Sequence, residues 1–61
     1  MSIHINYYYN SKILFSSFLD DKDIPIVGSG VTMKGNNYKV VLVEEIAIQG
    51  HLARNIHLEK L

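Results

Sequence analysis

The segment from Tyr38 to Ile48 constrains this chain most, because as a strand it would be apolar on both faces. The segment is rich in β-branched residues, and successive strand side chains point to opposite faces. A chain of 61 residues is too small to build a thick core around such a strand. A single thin sheet hides one face against itself. The second face must then be covered by a closed barrel wall or by another subunit.

Four further segments show the alternation and the flanking turn residues that are typical of strands. They are residues 2–9, 12–19, 31–34 and 52–58. Asn10-Ser11, Gly35-Asn36-Asn37 and Gln49-Gly50 supply tight connections, which are too short for a crossover helix. We therefore predict one all-β domain over residues 1–61. The fold would be a five-stranded antiparallel meander or a small SH3-like barrel.

The registers of the first and last hairpins can be predicted from their turns. A two-residue turn at Asn10-Ser11 places Tyr7 opposite Leu14. At Gln49-Gly50, a two-residue turn sets Glu45 opposite Arg54, whereas a three-residue turn sets Ile46 opposite Arg54. We favour the first, because opposite charges across a strand pair stabilise it.

That register also sets Val41 opposite Leu58. The residues of segment 38–48 that alternate with Val41 then lie on the opposite face of that strand. This face is also apolar, and it points away from the apolar residues of the final strand. We predict that this face is a homo-oligomer interface. Its residues are Tyr38, Val40, Leu42, Ile46 and Ile48.

Composition excludes several classes of protein. Six basic residues balance six acidic ones, which disfavours a nucleic-acid binder that releases counterions from phosphates. The chain has no cysteine, so disulfides and Cys-based zinc sites are excluded. It has no apolar run near the ~20 residues of a membrane span, and its first residues lack signal-peptide character. We expect a cytoplasmic protein without a membrane partner.

The residues that could perform catalysis or bind a metal form no recognisable constellation. No serine lies in a triad or nucleophile-elbow pattern, and Glu44 and Glu45 point to opposite faces of a strand. His51 and His57 are ~20 Å apart along a strand, which is too far to share a metal. We expect no enzyme activity, no catalytic residue, no metal and no cofactor.

Five residues are candidates for ligand binding. Alternation sends Tyr8 to one face and Tyr7 and Tyr9 to the other, where they pack in a core or form an aromatic platform. Arg54 can hold a phosphate or simply pair with Glu45. We add His57, which lies on the same final strand, as a candidate. The ligand would be a small nucleotide-like molecule or a host protein.

The segments Ile24-Pro25-Ile26-Val27-Gly28 and Gly35-Asn36-Asn37-Tyr38-Lys39-Val40, with the ending Leu58-Glu59, resemble a loose group of small β-domain proteins from phages and prophages. The resemblance implies an SH3-like barrel that blocks a host factor or sequesters a host signal, in the host cytoplasm if phage-encoded. It supports our first hypothesis, a non-enzymatic binding protein that acts as a homo-oligomer. The alternative is a small barrel that binds single-stranded nucleic acid through the tyrosines, with Lys12, Lys34, Lys39 or Arg54 on phosphates.

Overall fold

The computed structural model describes residues 2–61, except for the side chain of Ile48. It confirms an all-β fold of five strands, curled into a half-barrel. The strands are β1 (Ser2–Tyr9), β2 (Lys12–Asp20), β3 (Gly30–Met33), β4 (Asn36–Ile48) and β5 (His51–Lys60). A short 3₁₀ helix, Asp21–Asp23, follows β2 and begins the connection to β3.

The sheet is mixed, so the prediction of a purely antiparallel sheet is wrong at one strand pair. The strand order is β2-β1-β5-β4-β3, and β1 and β5 run parallel at the centre. The first hairpin and the β3–β4–β5 meander are antiparallel, as their short turns dictate. The connection after β2 crosses to the far edge of the sheet. The last strand therefore returns beside β1 in the same direction.

Each of the three hairpins closes with two residues that both have positive φ. These residues are Asn10 and Ser11, Lys34 and Gly35, and Gln49 and Gly50. This is the backbone of a type I′ turn, whose twist matches that of paired strands. The middle turn lies one or two residues earlier than the predicted Gly35-Asn36-Asn37. As a result Asn36 and Asn37 already belong to β4 and pair with Met33 and Thr32.

Two β-bulges alter the predicted registers. Tyr9 and Tyr8 pair with Lys12 and Ile13, as a two-residue turn requires, but Tyr7 lies opposite Phe15 and not Leu14. In the last hairpin Glu45 lies opposite Arg54, as predicted. Val40, and not Val41, lies opposite Leu58. One extra residue in a strand reverses the facing of everything beyond it.

The bulge at Val41 determines which part of β4 is buried. Tyr38 and Val40 turn into the concave side of the half-barrel and are 5% and 0% exposed. They join the core, whose buried members are Ile3, Ile5, Tyr7, Ile24, Tyr38, Val40, Ile56 and Leu58. The prediction that Tyr38 and Val40 share a face with Leu42 and Ile46 is therefore wrong.

The connection between β2 and β3 is held against the sheet. The Gly28 N–H donates to the Val40 carbonyl at 2.8 Å, and the Val40 N–H donates to the Ser29 carbonyl at 2.9 Å. Gly28 has a φ of 96°, which glycine adopts without strain. The buried side chain of Ile24 anchors the start of this connection in the core.

Candidate functional site on the outer face of the sheet

The convex side of β2, β1, β5 and β4, which we call the outer face, carries the candidate site. Residues paired across strands share a face, so the registers define its side chains. They form three rows that each cross four strands: Phe18–His4–Ala53–Ile46, Ser16–Asn6–Asn55–Glu44 and Ile13–Tyr8–His57–Leu42. Neighbouring rows lie about 7 Å apart along the strands.

The middle row is a chain of polar side chains. The Ser16 hydroxyl donates to Asn6 Oδ1 at 2.7 Å, and Asn6 Nδ2 donates to Asn55 Oδ1 at 3.2 Å. These bonds hold both amides in a fixed orientation, because the oxygen of Asn6 accepts from Ser16 on β2 and the oxygen of Asn55 accepts from Asn6 on β1. A half-buried amide pair held in this way can offer its remaining N–H groups to a ligand.

An aromatic pair lies on each side of the polar row. Tyr8 and His57 stack with ring centroids 5.4 Å apart and planes 18° apart. His4 and Phe18 stack at 5.0 Å and 24°. The two pairs stand about 13 Å apart along the strands. Planar rings on both sides of a hydrogen-bonding strip suit a flat or apolar ligand group.

A hydrogen bond between His57 and Glu44 secures the Tyr8–His57 stack. His57 Nε2 donates to the Glu44 carboxylate, so the imidazole is held from β4 as well as by the ring on β1. Glu44 also lies opposite Asn55 and ends the polar row.

The three successive tyrosines separate between the faces, as alternation predicts. Tyr7 is 6% exposed on the concave side and packs against Phe15, with ring centroids 6.3 Å apart. Burial raises the pKa of the Tyr7 hydroxyl, which therefore stays protonated. Tyr9 packs against Tyr38 at 5.3 Å. Of the three, Tyr8 alone lies on the outer face.

Arg54 lies on the concave side, away from the other predicted ligand-binding residue of β5, His57. Its guanidinium contacts Asp21 at 3.1 Å and approaches Glu45 at 4.0 Å. The pairing with Glu45 agrees with the predicted register, whereas the contact with Asp21 depends on the 3₁₀ helix. Arg54 thus ties the β2–β3 connection to the sheet.

The predicted interface residues of β4 are also divided. Leu42 and Ile46 lie on the outer face, where Leu42 is 49% exposed. Tyr38 and Val40 are buried in the core of the same chain. The side chain of Ile48 lies outside the described part of the structure.

Sequence reasoning missed four residues of the candidate site. Asn6, Ser16 and the His4–Phe18 pair become significant once β1 lies between β2 and β5. Asn6 and Asn55 each lie on the face of their strand opposite its core residues, which is a weak signal. Nothing local shows that these two strands are neighbours.

Metal-binding side chains are not grouped in the described residues. Across residues 2–61, no three His, Asp or Glu side chains lie close enough to hold one ion together. The predicted absence of a metal or cofactor remains a prediction.

Comparisons with protein-family models, curated proteins and solved structures find no match to this chain. Within residues 2–61, no helix has the length and apolar character that crossing a membrane requires.

Proposed function

We propose that this chain is a non-enzymatic binding protein that acts as a homo-oligomer and takes its ligand on the outer face. The observation that supports a ligand site on the outer face most directly is the arrangement of two aromatic pairs around an ordered amide row. Exposed apolar side chains continue the surface at its margins, where Phe18 is 67% and Ile13 54% exposed. Such a surface fits recognition better than chemistry, because its serine hydroxyl donates to the Asn6 amide and not to a histidine or carboxylate that could activate it.

The charges near the aromatic pairs favour a neutral ring over a phosphate. Glu44 lies beside the Tyr8–His57 stack, and Lys39, farther along β4, lies opposite Glu59. Arg54 is committed to Asp21 on the concave side. We therefore propose a small ligand with a planar ring, such as the base of a nucleotide. The same charges weigh against the alternative of single-stranded nucleic acid, which needs cations along the strand path.

The biological setting follows from the resemblance to small phage and prophage proteins. This resemblance supports a role in sequestering a small signalling ligand or blocking a host factor in the cytoplasm. We give the sequestering role first place, because stacked rings and amides match a small planar molecule.

Nuclear magnetic resonance titration with nucleosides, which carry the planar ring without a phosphate, tests the ligand class. We expect shifts confined to outer-face amides of β1 and β5. Replacing Tyr8 with Leu should weaken binding about tenfold or more, since base stacking contributes ~1–3 kcal/mol. The matched control is Tyr9→Leu, the same change one residue away on the concave side. Equal losses in both variants, or no shifts on the outer face, would overturn this proposal.

Native mass spectrometry of freshly purified protein tests the proposed homo-oligomer. We expect an integral multiple of the 7.0 kDa chain with a retained small molecule. A parallel titration with a single-stranded decathymidylate at low salt examines the alternative. Tight, salt-sensitive binding of that oligonucleotide would favour the nucleic-acid function instead.

A further inference from the structure

We propose that a second copy of this chain binds along the free edge of β2, antiparallel to it and related by a two-fold axis near Ser16. This inference rests on the proposed homo-oligomer and names its contact surface. It moves the contact surface from the β4 residues, which the sequence favours, to the edge strand β2.

The edge of β2 offers an unused row of main-chain hydrogen-bonding groups. In the described sheet β2 and β3 are the outermost strands, with nine and four residues respectively. The turn at Asn10-Ser11 closes between Tyr9 and Lys12, which form the first hydrogen-bonded pair. Alternation, shifted by one residue at the Leu14 bulge, then directs the N–H and C=O groups of Ile13, Ser16 and Phe18 away from β1. β2 contains no proline and is long enough to accept another strand.

The side chains of β2 are apolar and exposed on both faces of this edge. Ile13 and Phe18 are 54% and 67% exposed on the outer face, and Phe15 is 49% exposed on the concave side. A partner resting on one face would leave the other side uncovered. A strand added to the edge supplies side chains to both faces at once.

The charges of β2 select a second copy in antiparallel orientation. Lys12 begins the strand, and Asp20 ends it next to Asp21. An axis near Ser16 places the Lys12 end of each strand at the acidic end of the other, with Lys12 on the concave side and Asp20 on the outer face. It also places Phe18 of each copy near Ile13 of the other on the outer face. Parallel pairing would bring like charges together, which is unfavourable. The strand is therefore complementary to itself in one orientation.

Sedimentation velocity across a hundredfold concentration range tests this inference. We expect wild-type protein to approach twice the 7.0 kDa chain mass. Phe18→Lys should weaken the dimer at least tenfold, by placing a desolvated cation at the junction. Ser16→Pro is a second variant, which removes an outward N–H without a charge change. Circular dichroism establishes that each variant is folded.

Leu42→Lys is the matched control, because Leu42 is similarly exposed on the outer face of β4. We expect it to remain dimeric. A dimer that survives both β2 changes, or that dissociates on Leu42→Lys alone, would overturn the β2 assignment while leaving the homo-oligomer intact. A wild-type protein that stays at 7.0 kDa throughout would overturn both. The ligand titration would still test the outer face independently.

Discussion

At the scale of single residues, the turns show where local chemistry and backbone geometry disagree. Ser11 has a φ of 64° and follows Asn10 at 56°, although serine does not favour the left-handed region. The other two hairpins place glycine at the same position, where Gly35 and Gly50 have φ values of 78° and 81°. At this second turn position the first hairpin therefore carries backbone strain that the other two avoid, whereas those two place Lys34 and Gln49 in the left-handed region at the first position.

Replacing Ser11 with Gly should relieve this strain. We expect the free energy of unfolding to rise by about 0.5–1 kcal/mol, because glycine enters this region without a Cβ clash. Ser17→Gly is the matched control, since Ser17 lies in the extended part of β2 and should lose a similar amount. Urea unfolding followed by circular dichroism measures both. A gain at Ser17, or none at Ser11, would contradict the strain argument.

At the scale of elements, the connection from β2 to β3 does more than join two strands. It carries the chain from one edge of the sheet to the other, and it seals one end of the core with Ile24. Arg54 and the hydrogen bonds of Val40 with Gly28 and Ser29 hold it in place. Its stability should depend on the one side chain that it buries.

Two isoleucines of this connection form a natural pair for testing. Ile24 is 9% exposed and Ile26 is 73% exposed. We expect Ile24→Ala to lower the free energy of unfolding by about 2–3 kcal/mol, since it leaves a cavity at the core. Ile26→Ala should change it by less than about 0.5 kcal/mol. Thermal unfolding of both variants at one protein concentration makes the comparison, and equal losses would show that the connection does not close the core.

At the scale of the whole molecule, a half-barrel of this size has a limited core. Residues fully withdrawn from solvent include Ile5, Val40 and Ile56, whereas several large apolar side chains stay exposed. Small domains without disulfides or metals commonly gain stability by association. A dimer formed through β2 would link folding to protein concentration.

The unfolding midpoint should therefore rise with concentration. For a dimer that unfolds to separate chains, each tenfold increase should raise the midpoint by about 5 °C, given the usual entropy of unfolding per residue. Differential scanning calorimetry over a hundredfold range measures the shift. Phe18→Lys should show a midpoint that does not depend on concentration. A constant midpoint for the wild-type protein would argue against coupled folding and association.

The local pattern of residues determined the strands, their approximate ends, the turns and the Glu45–Arg54 register, because each depends on neighbours within a hairpin. Alternation likewise placed Tyr8 on the face opposite Tyr7 and Tyr9. The tertiary structure decided the rest. The parallel pairing of β1 with β5 joins residues 49 positions apart, so Asn6, Asn55 and the Tyr8–His57 stack meet only in the folded sheet. The bulge at Val41 buried Tyr38 and Val40 in their own core, since one extra residue reverses the facing of a strand without any change in its apolar composition.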